Sequence, residues 1–288
     1  MSPLSAAERE EWRASVAAVV RRGASWDALL DLGVTETGFE DLGVAIEECG
    51  AAAVATPLLG HMFGLRALRA PLVPGRLALV LPEGYALDGG AADWFVVVDG
   101  SRLSAVPADR VTRRPLSTLD PTRVLWRVEF DASAVTHLGE CDPDRLRAEL
   151  AALVAADSIG GARAVLRDAV AYARQRLQFG RPIGSFQAVK HRLADLSSQL
   201  DGAVASVGYA LRRLDLDAPD ASLAASVAKL AATEAYLAAA EGAIQTYGGI
   251  GFTWEHPAHV YLKRAHTNSQ LAGGAASHLE LVAGRAGI

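Results

Sequence analysis

RLQFGRPIGSFQAVKHRLADL, residues 176–196, interrupts a chain that has helical periodicity on both sides of it. Gly180 and Pro182 end the helix before it: proline has no amide hydrogen to donate, and glycine reaches the left-handed conformation that closes a last turn. Gly184 and Ser185 stand where an N-cap for the next helix is needed, with Gln187 and Lys190 in its first turns. Arg174, Arg176, Arg181, Lys190 and Arg192 crowd the corner. Two readings are open. Cations near a helix C-terminus complement its negative end, which makes a plain solvated corner. The same groups also make an anion cradle, with Arg176 reaching a pyrophosphate and Phe179 stacking on a ring.

Outward from the corner, helical spacing runs over roughly 144–178, 185–214, 219–247 and 254–284, the last broken near Gly273-Gly274. Four long segments with short connections describe an antiparallel bundle. Asp142-Pro143-Asp144 opens it, with carboxylates at the positive end of the first helix. Upstream, residues 77–80, 94–98, 102–106 and 124–130 are short apolar or alternating runs punctuated by Gly, Pro and Asp. Asp99-Gly100 between two of them is a hairpin signal. Residues 75–135 therefore read as a small antiparallel sheet unit. Before it the chain is helical to Ala70, with helices near 5–22, 25–32, 39–49 and 57–68. The first places Trp12, Val16, Val19 and Val20 on one face and Gly23 at its stop. The expected fold class is mainly α with a small β unit. Its expected domains are an N-terminal helical domain (1–74), a small β domain (75–143) and a C-terminal helical bundle (144–288).

Composition supports this. Of the 288 residues 51% are hydrophobic but only 6% aromatic, which favours helices packed closely through alanine. A net charge of −5 implies no general attraction to nucleic acid or anionic membrane. No opening leader pattern and no apolar stretch long enough to span a bilayer is read. Cys49 and Cys141 make neither a disulfide framework nor a metal knuckle, and no adjacent histidine activates them. His256, His259 and His266 lack a carboxylate in register or a cysteine partner, so no metal is expected. A cytoplasmic protein without nucleic-acid or membrane partners is the expectation.

A second stretch, IQTYGGIGFTWEHP (244–257), carries three glycines in a turn between helices. No strand precedes it and its spacing differs from a dinucleotide-binding loop, so the glycines mean either close approach to the backbone or positive φ. Taken together, YARQRLQFGRPIGSFQAVKHRLADL and IQTYGGIGFTWEHPAHVYLKRA resemble, in order and separation, the two C-terminal signatures of the acyl-CoA dehydrogenase family. LSTLDPTRVLWRVEFD (116–131) resembles the end of that family's β domain. The match is specific over 145–265 and looser before it.

The resemblance implies FAD bound between subunits, with its adenosine and pyrophosphate end held across an interface. The matching positions are Arg176, Gln178 and Phe179 at the corner, Phe186 and Gln187 at the next helix start, and Gln245, Gly248 and Gly249 at the glycine turn. It also implies a strand that walls the flavin ring, typically a Trp-Ile-Thr/Ser run, and no such run is present. GYALDGGAADWFVVVDGS (84–101) passes almost directly between hairpins, and Trp94 within it reads as core. Dehydrogenation of an acyl thioester needs a carboxylate to take the α-proton. The family's usual glutamate lies nine residues beyond an arginine matched by Arg264, and that position is Gly273. An alternative position matches Leu150, with Glu149 one residue away; one residue turns a helical side chain by about 100°. No catalytic residue is thus assigned, Glu149 being a weak candidate that reads as a surface residue.

The chain keeps what a subunit lends to a neighbour's flavin and lacks what it needs for its own. This implies the base-deficient partner in an α2β2 acyl-CoA dehydrogenase, active only with a related subunit. Acyl-CoA would be the substrate and electron-transfer flavoprotein the acceptor. The alternatives are a self-contained homo-oligomeric dehydrogenase and a non-redox paralogue that stabilises a partner.

Overall fold

The computed structural model describes residues 4–68 and 73–287. Four helices come first: α1 (Ala6–Arg21), α2 (Trp26–Asp31), α3 (Phe39–Ala52) and α4 (Leu58–Leu68). A capping box starts α1: Ser5 Oγ accepts the Glu8 N–H while the Glu8 carboxylate accepts the Ser5 N–H. Val16, Val19 and Val20 face the core, with Trp12 packed against it, as their spacing predicts. The expected continuation of helix to Ala70 falls outside the described residues.

Seven strands follow: β1 (Leu77–Val80), β2 (Tyr85–Leu87), β3 (Trp94–Asp99), β4 (Arg102–Pro107), β5 (Val111–Pro115), β6 (Leu125–Phe130) and β7 (Thr136–Glu140). They form one sheet in the order β5-β6-β2-β1-β3-β4-β7. Asp99 pairs with Arg102 around Gly100, whose φ is +58°, so the β3–β4 hairpin stands where Asp-Gly placed it. The sheet is antiparallel except for β1 and β3, which run parallel from Leu77–Trp94 to Val80–Val97. That departs from the all-antiparallel expectation, and the chain's path explains it. β2 reverses and pairs on one side of β1. The next reversal brings β3 to the other side, again pointing the same way as β1.

The C-terminal helices are α5 (Pro143–Gln175), α6 (Gln187–Asp215), α7 (Ala221–Tyr247), α8 (Ala258–Gln270) and α9 (Ala275–Ala286). At the start of α5 the Asp142 carboxylate accepts the N–H groups of Asp144 and Arg145, with Pro143 in the first turn. The central helix is α7, packed on α5, α6, α8 and α9. A stripe of buried alanines along one face, including Ala225, Ala228, Ala232, Ala239 and Ala243, allows this close approach. Residues 221–252 are also long and apolar enough to cross a membrane, which corrects the reading that no stretch is. Within this fold 61% of that apolar window is buried inside the molecule, as in a core helix. Helix α5 meets α3 backbone to backbone: a side chain at Gly50 or Gly160 would overlap the carbonyl of Asp157 or of Glu47.

Candidate cofactor corner and base position

Helix α5 ends at Gln175, three residues before the expected boundary. Arg176 turns extended (φ −71°, ψ 119°), and Leu177–Gln178 (β8) pairs with Arg181–Pro182 (β9). The tip of this small hairpin is Phe179-Gly180, both at positive φ (+51° and +77°), as a two-residue turn of this twist requires. Glycine takes that conformation freely; phenylalanine does so under strain. The strained Phe179 carries its ring outward, 92% exposed. Its aromatic neighbour is Phe186, edge-on at 6.1 Å, and the Arg181 guanidinium lies 4.1 Å from the Phe186 ring centre. Ser185 does not cap α6 as expected. Its hydroxyl donates to Pro182 O at 2.7 Å, and Phe186 takes the N-cap position without a side-chain bond.

The glycine turn lies at the same end of the bundle. Tyr172 near the end of α5 and Tyr247 at the end of α7 pack edge to face at 5.1 Å. Gly248 (φ +65°, ψ −140°) then opens a 3-10 turn over Gly248–Phe252. A β-carbon on Gly248 or Gly249 would meet nothing within 4 Å, so that face of the turn is open. Gly251 differs, because a β-carbon there would press on Ile244 O and Tyr247. The three glycines thus divide into two that leave space and one that fits tight packing. Arg176, Gln178, Gln187 and Gln245 are exposed around this end, with Gly249 and a partly covered Gly248 and Phe186. An unsheathed guanidinium, amide side chains, an outward ring and an open glycine backbone suit a phosphate-bearing aromatic ligand.

At the expected base position the structure is closed. Gly273 sits between α8 and α9 at φ +102°. A β-carbon there would lie 3.0 Å from both Ser277 Oγ and His278 Nε2. The buried Lys229 of α7 donates to the carbonyls of Gly273 (3.2 Å) and Ser269 (3.5 Å), and burial pushes its pKa down to about 8. His278 bridges Ser226 Oγ and Ala272 O, each at 3.1 Å. Glu149 is not the surface residue expected. It is 6% exposed, and one oxygen takes the Arg145 Nε–H at 2.7 Å. Trp94 begins β3 and, partly buried, packs against the main core. His256 rests on Tyr247 and His259 on Trp254. Burial pushes the Cys49 thiol up to about 12, which leaves it unreactive.

Arg264 serves in the sequence only to locate Gly273. In the structure it is fully buried and grips Asp157 at two points, Nε to Oδ2 at 3.1 Å and Nη2 to Oδ1 at 2.6 Å. Arg123 reaches the same carboxylate at 2.7 Å, and the Asn268 amide donates to it at 2.7 Å. Burial alone would raise the Asp157 pKa; the two guanidinium charges outweigh it and hold the group well below the usual carboxylate range. Arg264 also donates to Thr122 Oγ1 and to Val54 O, so one buried cluster ties α5 and α8 to two connecting loops. Arg123, Asp157 and Asn268 stand far apart in the sequence, and no spacing marks them as partners.

Comparison with known proteins agrees with this layout. Residues 148–287 match the model of the acyl-CoA dehydrogenase C-terminal domain. The chain is 38% identical over 254 residues to acyl-CoA dehydrogenase IpdE2 of Mycobacterium tuberculosis, covering 84% of this chain and 76% of that one. It is 36% identical to the protein of the same name from Mycolicibacterium smegmatis, covering 92% and 94%. Among solved structures, the ChsE4-ChsE5 complex from Mycobacterium tuberculosis has a chain of similar fold (TM-score 0.83, 22% identity, 99% and 98% coverage). A chain of the Tcur3481-Tcur3483 steroid ACAD G363A variant is similar at TM-score 0.84 and 22% identity, with 96% and 97% coverage. The helix–sheet–helix order, the corner and glycine turn, and the extent of these matches lead to one conclusion: the chain belongs to the acyl-CoA dehydrogenase family.

Proposed function

We propose that this chain is the flavin-sharing, base-deficient subunit of a heteromeric acyl-CoA dehydrogenase. The observation that carries the reading is the contrast between its two sites. The corner built from Arg176, Gln178, Phe179, Phe186 and Gln187, with Gln245, Gly248 and Gly249 beside it, is open. The Gly273 loop, where a carboxylate would be needed, is closed by Lys229 and His278. Within its family such a corner receives the adenosine and pyrophosphate end of FAD from across a subunit interface. Arg176 would neutralise phosphate charge, and the Gly248 and Gly249 backbone would admit the ligand closely. Bound FAD supplies the acceptor for the hydride removed from the β-carbon of an acyl-CoA thioester. The α-proton would be taken by a carboxylate of the related subunit, and electron-transfer flavoprotein would collect the electrons. Two similar solved structures are of paired proteins, the ChsE4-ChsE5 complex and Tcur3481-Tcur3483, which supports a two-chain assembly. On this reading residues 1–74, 75–143 and 144–288 act as three domains. The middle one, its flavin-facing portion reduced, serves as a spacer rather than a flavin wall.

Self-contained catalysis would use Glu149 or a base that the sequence does not mark, and the Glu149 carboxylate is already engaged by Arg145 in a buried setting. Substitution of Arg176 tests the reading. Arg176 is exposed, so Arg176→Ala is expected to leave the fold intact, and gel filtration checks that the complex persists. Loss of a charge-assisted phosphate contact is expected to weaken FAD retention by about tenfold or more, seen as lower flavin content after gel filtration. Unchanged flavin content in the assembled complex would contradict the reading and favour a structural paralogue.

A further inference from the structure

The helix that follows the Gly273 loop is held to the bundle by a titratable group. A surface helix is ordinarily anchored by an apolar stripe. Among the described side chains of α9, only His278 is fully buried, at 2% exposure. Leu281, Val282 and Ala283 are half-buried, and the other described positions of the helix are exposed. The hydrogen bonds of His278 define its protonation. A carbonyl can only accept, so Nε2 carries the hydrogen and donates to Ala272 O, and the bare Nδ1 accepts from the Ser226 hydroxyl of α7, each at 3.1 Å. The docked ring is therefore neutral. One turn along α7 lies the buried Lys229, whose ammonium donates to the carbonyls of Gly273 and Ser269.

The charges that act on His278 are cations. Lys229 faces it from α7, and Arg147 acts from α5, its guanidinium tied to Asp144 at 2.9 Å. Residues 271–274, which join α8 to α9, have no titratable side chain, and Glu280, the one acid on α9, is exposed. Burial, then Lys229 and Arg147, hold the His278 pKa below its ordinary 6.5, against the pull of the Ala272 carbonyl. A proton on Nδ1 need not break the bond to Ser226, because the hydroxyl can turn to accept it. What it adds is a second buried cation beside Lys229, with no carboxylate to offset either. Released into water, the imidazole regains its ordinary affinity for the proton. The undocked state thus binds more protons below pH 6.5, and docking of α9 weakens as the pH falls through that range. Lys229 stays charged throughout it, since burial lowers its pKa only to about 8. We propose that His278 is an acid-released latch: its protonation frees α9 from the bundle, and with it the Gly273 loop. The latch lies wholly within this chain and does not depend on the flavin reading.

Hydrogen exchange of the full chain at pH 7 and pH 5, corrected for the intrinsic effect of pH on exchange, reads the latch directly. The α9 amides are expected to lose about tenfold in protection at pH 5. His278→Leu and His278→Gln do not titrate, one apolar and one able to hydrogen-bond. Either variant, once circular dichroism shows it folded, is expected to keep α9 protection constant between the two pH values. The amides of α5 and α7 are expected to respond alike in all three proteins, which separates release of α9 from acid destabilisation of the whole fold. Unchanged α9 protection at pH 5, a loss of equal size in the variants, or α9 protection that tracks α5 and α7 at both pH values would overturn the proposal.

Discussion

Arg264 shows how far a single residue can be read. Its place in the sequence locates the Gly273 position nine residues on, yet its chemistry lies in a carboxylate 107 residues away. Asp157 balances two buried guanidinium groups, Arg123 and Arg264, and removing its charge leaves both unpaired in a dry interior. Asp157→Asn is therefore expected to cost about 3–5 kcal/mol, measured as a fall in the urea midpoint. A loss below about 1 kcal/mol would mean that Asn268 and the backbone carbonyls can hold the arginines unaided. His61 gives a pH test. Burial, helped by the nearby Arg76 charge, pushes its pKa down to about 4, and its Nδ1 accepts the Leu77 N–H at 3.0 Å, joining α4 to β1. The folded pKa lies below the usual 6.5, so the unfolded state binds more protons between those values. Stability should therefore rise with pH across that window and fall on acidification through it, by up to about 3 kcal/mol from this residue. His61→Asn, which keeps an acceptor near Nδ1 and does not titrate, should show a shallower loss from pH 6.5 to 4.5. Equal slopes would remove His61 from the acid response.

At the scale of elements, close approach decides what packs. Glycines 50 and 160 let α3 and α5 touch through their backbones. A methyl group at Gly160 would overlap the Glu47 carbonyl oxygen and force the helices apart, so Gly160→Ala should cost about 1–3 kcal/mol. Gly202 on α6 has nothing within 4 Å of its missing β-carbon, and Gly202→Ala should be neutral or stabilising by up to about 1 kcal/mol. Thermal melts of the two variants, run together, check the contrast. The same element scale marks what the sequence could express. Helical periodicity and Gly/Pro punctuation located the helices and the β3–β4 hairpin, because those signals are local. The short strand β2, the charged β5 (VTRRP) and β7 escaped it: β2 has only three residues, β5 carries two arginines in place of an apolar run, and β7 pairs with β4, which is distant in sequence. The boundary of α5 moved to Gln175 for a related reason. A hairpin with Phe179 at positive φ outcompetes one more helical turn, and nothing in residues 176–180 except Gly180 announces it.

For the whole molecule, the family was legible from two short stretches, and the mainly helical fold with a small sheet from the alternation of periods. The site was legible only in part. The eight corner positions stand at or near one end of the bundle, and the flavin role proposed for them calls for a second chain, which one sequence cannot contain. The closed Gly273 loop was legible as an absence. Its cause, a buried lysine 44 residues away holding the Gly273 carbonyl, was not. On the reading proposed here the molecule holds half of a flavin site and no base. The most direct test is the visible absorption spectrum of the chain purified alone, then co-purified with a related acyl-CoA dehydrogenase subunit. The expected result is a colourless protein alone and a flavin-yellow complex with the partner. A yellow protein alone would contradict the account by showing a complete flavin site within this chain.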